Sequence, residues 1–185
     1  MKPFVCLLAL ILILSGCRSE NDNISEGLAL REQLMKGNGC EFQTEIIADF
    51  GELKHSFTLQ CRVDPDGILA FAVVSPESIA GISGSMDHNS GRLTFDKTVL
   101  AFPPLAEGMI SPVSGPWLFY KALCGGYLRA AGREGDKIRL SIDDSFQGDN
   151  LTVEMWLDNQ LPVCAEIIWQ GSNVLTLLIS DFRIL

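Results

Sequence analysis

The chain has 185 residues, 47% hydrophobic and 20% charged, with 14 Lys+Arg against 23 Asp+Glu for a formal net charge of -9. That length suits one globular domain after a leader, and so apolar a composition excludes a disordered chain. The acidic balance argues against sequence-independent binding to nucleic acid, whose phosphates it would repel.

Residues 1–16 hold one basic residue, Lys2, and an apolar run from Phe4 to Gly16. The run is shorter than the roughly 20 residues that span a bilayer, and its length suits the core of a signal peptide. At its end stands Leu14-Ser15-Gly16-Cys17, which resembles the lipobox of bacterial lipoproteins. The resemblance implies a signal peptide over 1–16, removed so that a diacylated Cys17 becomes the first residue, and a protein held on the outer side of a membrane, at the cell surface or in the periplasm. An ordinary cleaved signal is the plainer alternative. Two acyl chains anchor stably, and an acidic chain gives an anionic surface nothing else to hold. The polar residues that follow, to Gly27, predict a flexible lipidated tether over 17–27, ahead of a single domain over 28–185.

Ser25 to Gly37 predicts a helix capped by Ser25, with Leu28, Leu30, Leu34 and Met35 on the sheet side. From Cys40 the residues alternate, with Phe42, Thr44, Ile46 and Ala48 on one face, and the segment 55–63 alternates likewise through Phe57, Leu59, Cys61 and Val63. With Phe50-Gly51 as a two-residue hairpin loop, Phe42 faces Leu59, His55 faces Ile46 and Cys40 faces Cys61 at a narrow pair within disulfide reach. Cys124 and Cys164 then pair by elimination. Free buried thiols are the alternative for both pairs. No Cys-x-x-Cys spacing is present, so neither a thioredoxin-like site nor a zinc ribbon is expected.

Gly67 to Val74 is a nearly continuous apolar run that predicts a strand covered on both faces. Ile79 to Met86 and Leu93 to Phe102 predict strands flanking a turn at 87–91, and prolines at 103, 104 and 112 mark an irregular link. Pro116 to Leu123 predicts a short helix with Ser114 as cap and Gly125-Gly126 as its stop; so apolar a helix is covered on most sides or covers an opening. Beyond Leu128 an antiparallel meander is expected, with turns at 143–150, 158–162 and 170–173. Nine or ten strands and two helices in this order make an α+β domain with one large antiparallel sheet.

The run Leu151 to Asp158, then Leu161-Pro162-Val163-Cys164-Ala165-Glu166, Val174 to Leu177 and Asp181-Phe182, resembles the closing meander of the LolA/LolB-like lipoprotein-localisation superfamily. The resemblance implies an unclosed half-barrel: a strongly curved antiparallel sheet lidded by two or three helices, its concave apolar face receiving acyl chains. A carrier's functional residues have no residue-by-residue match here, so shuttling is not implied.

Chemistry is sparse. His55 and His88 are the only histidines, Gly81-Ile82-Ser83-Gly84-Ser85 lacks the spacing of a hydrolase elbow, and the acidic turn 143–150 lacks EF-hand spacing. No catalytic residue, metal or cofactor is expected. The side chains that would line an acyl-chain cavity are Phe42, Ile46, Phe57, Leu59, Phe71, Trp117, Phe119, Val153 and Met155; the same residues would serve as plain core. The first expectation is a monomeric, non-enzymatic lipoprotein that takes a lipid, a lipoprotein acyl chain or another hydrophobic ligand, with the Trp117–Tyr120 helix as lid. The second is an interaction or sensor module whose core is filled by its own side chains.

Overall fold

The computed structural model describes residues 18–185 except 50, 52–53, 89, 107–108 and 147, so the expected signal peptide and Cys17 lie outside the described residues. Its N-terminal helix runs Arg18–Lys36, taking in most of the expected tether. Ile24, Leu30 and Leu34, spaced to share one face, pack on the core and extend the helix ahead of Ser25. Ser25 caps nothing; its Oγ donates to the Asp22 carbonyl at 2.6 Å. Of the four residues expected on the sheet, Leu30 and Leu34 are buried, whereas Leu28 and Met35 point outward. Gly27 allows a close approach, since a Cβ there would lie 2.9 Å from the Leu140 side chain.

Strands β1 (Cys40–Asp49) and β2 (Lys54–Val63) form the expected hairpin, with a longer connection and a different register. Asp49 pairs with Lys54, so Cys40 faces Val63, Cys61 faces Phe42 and His55 faces Ala48. This is a slip of two residues, which keeps every side chain on its expected face while changing its partner. Thr44, Leu59 and Val63 are wholly buried as the alternation requires, but His55, placed by the expected register opposite Ile46, is exposed.

β3 (Leu69–Ser75) is covered on one face only: Leu69, Phe71 and Val73 are buried, and Ala70, Ala72 and Val74 face solvent. Two of these three are alanines, whose exposure costs little, so an apolar run here does not mean a strand buried on both sides. β4 (Ser83–Met86) is followed by a hairpin of β5 (Gly91–Phe95) and β6 (Thr98–Phe102), which divides the single strand expected over 93–102. Its turn residues Asp96 and Lys97 both have positive φ, as a tight type I′ hairpin requires. Phe102 lies over Gly91, where a Cβ would come within 2.2 Å of the ring. A two-stranded ladder, β7 (Leu105–Ala106) with β8 (Met109–Ile110), then leads to the apolar helix, Gly115–Gly125. Ser114 precedes it without capping it; its hydroxyl donates to the Pro104 carbonyl at 3.1 Å.

The closing meander comprises β9 (Tyr127–Glu134), β10 (Lys137–Phe146), β11 (Asp149–Asp158), β12 (Leu161–Trp169) and β13 (Ser172–Ile184). Asn159-Gln160 and Gln170-Gly171 turn with positive φ at both residues. Pro162 is accommodated where the β11/β12 register shifts.

All these pairings are antiparallel, in the spatial order β6-β5-β4-β3-β2-β1-β13-β12-β11-β10-β9. Among the described residues the result is an open sheet of eleven strands with two α-helices, the α+β half-barrel class expected from the sequence. The first and last strands, β1 and β13, are neighbours at its centre. The core lies between the sheet and the apolar helix. Phe42 meets Phe119 of that helix edge-on and stacks on Phe182, both at 5.7 Å between ring centroids.

Candidate functional site: a cleft along the apolar helix

The apolar helix divides its residues between two surroundings. Leu118, Phe119, Ala122 and Leu123 face the sheet and are buried, so the space beneath the helix is filled by side chains. Trp117, Tyr120, Lys121, Cys124 and Gly125, at spacings of three, four, seven and eight, form a second stripe. This stripe lines a cleft of about 430 Å³ on the outer flank of the helix. Met35 from the N-terminal helix, Gly67, His88 and Asp144 complete its walls.

The helix is held in place from its end. Arg31 donates from Nε to the Leu123 carbonyl at 2.6 Å and from Nη2 to the Gly126 carbonyl at 2.8 Å. A cation on terminal carbonyls satisfies acceptors the helix cannot and opposes its dipole. The His88 ring meets Trp117 edge-on at 5.5 Å. Burial, and Cys124 beside it, push the Tyr120 phenol above its ordinary range. Lys121 donates to Asp144 Oδ2 at 2.6 Å and to the Ser145 carbonyl at 3.1 Å. The walls are therefore mainly apolar and aromatic, with one ion pair.

Of the nine residues expected to line a cavity, only Trp117 borders this cleft, and it too is a core residue, 1% exposed. Phe42, Ile46, Leu59, Phe71, Phe119, Val153 and Met155 are buried core, and Phe57 is partly buried against it. Tyr120, Lys121, Cys124 and Met35 were not singled out as cavity residues, although the helical spacing from Trp117 marks three of them.

All four described thiols are free, so neither expected disulfide is present. The two-residue register slip places Cys40 and Cys61 diagonally instead of face to face. Cys124 lies at the cleft, whereas Cys164 lies among Glu134, Lys137, Trp156 and Glu166 on the outer face of the sheet. Burial pushes the Cys40 thiol up to about 12, with Cys124 and Glu41 adding to the shift, and raises Cys61, Cys124 and Cys164 as well. Such thiols are protonated near neutral pH, the opposite of an activated nucleophile. No group of three or more metal-ligating side chains occurs among the described residues.

The outer face is polar and internally paired. Glu41 receives Arg62 at 2.7 Å and Arg183 Nε at 3.0 Å, tying β2, β1 and β13 together; Arg183 holds the Glu41 carboxyl below its usual range. Glu154, nearly buried, accepts from Ser141 at 2.7 Å and from Arg139 at 3.1 Å. At the sheet edge the β5–β6 hairpin exposes Phe95, Val99 and Leu100 by 58%, 61% and 62%, with Val99 on this outer face and Phe95 and Leu100 on the opposite one.

No family model and no curated protein matches the chain. Among solved structures it is similar to a DUF1329 family protein from Desulfovibrio piger, at 8% identity over 89% of this chain and 92% of that one, with a TM-score of 0.50. It also aligns with a LolA superfamily protein from Nitrosomonas europaea (10% identity, 86% and 93% covered, TM-score 0.47) and with the lipoprotein LppX from Mycobacterium tuberculosis (13% identity, 87% and 93% covered, TM-score 0.40). At these identities the likeness concerns the fold. No helix among the described residues is long and apolar enough to cross a membrane.

Proposed function

We propose that the protein is a non-enzymatic, lipid-anchored lipoprotein facing outside the cytoplasm that holds a hydrophobic ligand in the cleft along its apolar helix. The reading rests on one observation: beside a core that is otherwise filled, an aromatic stripe of one helix borders a cleft of about 430 Å³. That volume is in the lower part of the range in which proteins enclose small molecules. It moves the ligand from beneath the helix, where side chains leave no room, to the outer flank. The lipid anchor is supported by Leu14-Ser15-Gly16-Cys17 at the end of an apolar run.

Native mass spectrometry of purified residues 18–185, which contain the whole fold described above, tests the reading together with titration of a fluorescent fatty acid. A co-purifying lipid mass or saturable one-to-one uptake is expected. Gly125→Phe, placed where a Cβ meets nothing within 4 Å, should fill the cleft and weaken uptake on the order of tenfold. A bare protein mass with no uptake would reject the ligand.

A second reading is favoured by the β5–β6 hairpin. Large apolar side chains exposed on both faces of an edge hairpin, Phe95 and Leu100 on one and Val99 on the other, suit a protein contact at the sheet edge, which would make the molecule an interaction module.

A further inference from the structure

We propose that the cleft selects a single-chain amphiphile with an anionic head, carboxylate or phosphate, and that Lys121 holds that head. The inference rests on the ligand-binding reading above and adds the chemistry of what is bound.

Size sets the first limit. A cleft of about 430 Å³ lies well below the upper end of the range for small-molecule sites, and suits one chain better than the two or three of a membrane phospholipid or a lipoprotein. Beneath the apolar helix, Leu118 and Phe119 are wholly buried and offer no second compartment.

The ion pair sets the polarity. Lys121 is one residue beyond Tyr120 on the helix, with 26% of its side chain exposed, and it borders the cleft. An ammonium has three N–H donors, and the described residues take two of them, at Asp144 Oδ2 and the Ser145 carbonyl. Asp144 accepts at Oδ2 from Lys121 and at Oδ1 from the Ser145 backbone N–H at 2.7 Å, and it is the less exposed of the pair, at 15% against 26%. An anionic head can therefore add to Lys121 without breaking what is there. A head group entering from solvent meets the more exposed Lys121 first, and a cationic head there faces the repulsion of its ammonium. The formal net charge of -9 opposes an anion at long range, but physiological salt screens such fields over about 8 Å, and the contact with Lys121 then decides.

The test is displacement of a neutral fluorescent hydrophobe from residues 18–185 by four competitors: laurate, methyl laurate, lauroyl lysophosphatidylglycerol and dilauroyl phosphatidylglycerol. Laurate or the lysolipid should displace the probe on the order of tenfold better than the methyl ester, and the two-chain lipid should fail. Which of the two single-chain anions binds more tightly separates a carboxylate ligand from a phosphate one. Lys121→Met should bring the acid-to-ester ratio towards one, Lys121→Arg should restore it, and Asp144→Asn, which keeps the ammonium, should preserve it. Thermal melting of each variant keeps a loss of fold apart from a loss of recognition. Equal binding of acid and ester by the unaltered protein, or a preference that survives Lys121→Met, would overturn the proposal while leaving ligand binding standing. Failure of the neutral probe and every competitor to bind would overturn the ligand-binding reading, and this inference with it.

Discussion

Cys40, at the first position of β1, shows how burial, with Cys124 and Glu41 adding to it, can set a residue's chemistry. Its thiol would titrate near 9 when unfolded and titrates at about 12 in the fold. Below pH 9 both states hold the proton and stability is at its full value. Between 9 and 12 the unfolded chain releases the proton and the folded chain does not, so stability falls by about 1.4 kcal/mol per pH unit for this thiol. Urea unfolding at pH 8 and pH 10.5 should show this loss, and Cys40→Ala should show a shallower decline between the same two pH values. The alternation of β1 and β2 was enough to place Cys40 and Cys61 on the buried face. Their pairing was not legible, because a disulfide depends on cross-strand partners, and these hang on a connection that is two residues longer than the tightest turn.

Among the elements, the apolar helix was legible as a helix, and its turn of Trp117, Leu118, Phe119 and Tyr120 was legible as something covered. Which flank faced the sheet was not. Apolar residues surround this helix on most sides, so no polar stripe fixes its rotation; the packing of Phe119 against Phe42 does. That rotation fills the space where a cavity was expected and opens one on the other flank. The Arg31 contacts, which join residues more than ninety positions apart, leave no trace in local sequence. Arg31→Met should leave the helix's last carbonyls without these donors and allow its final turn to fray. Hydrogen exchange at the Leu123 and Gly126 amides should then quicken about tenfold or more, with the amides of β1 unchanged. Equal exchange in both proteins would show that the latch is not what orders this end.

At the scale of the whole molecule, the sheet has two unlike surfaces: an inner one filled by the apolar helix and an outer one tied by charges across strands. The meander, the polar-apolar alternation and the α+β class were all legible, because each strand obeys a period of two and each turn carries residues that tolerate positive φ. The exposed β5–β6 hairpin was not, since its two arms are mainly apolar and only Asp96-Lys97 between them marks the turn. Leu100→Glu should therefore change unfolding free energy by no more than about 0.5 kcal/mol, as surface substitutions do, while lowering binding of a hydrophobic dye. A loss of several kcal/mol would mean that this hairpin is covered in solution.

The meeting of β1 and β13 at the centre of the sheet also bears on how the molecule is made. Every other neighbouring pair joins strands consecutive in the chain, so two meanders, β1 to β6 and β9 to β13, are built from local contacts. Synthesis proceeds from the N-terminus, and β1 therefore waits with one edge unsatisfied until β13 has been made. A ribosome-bound chain stopped before Ser172 would present that open edge to any passing strand, and the final thirteen-residue strand is what closes the seam.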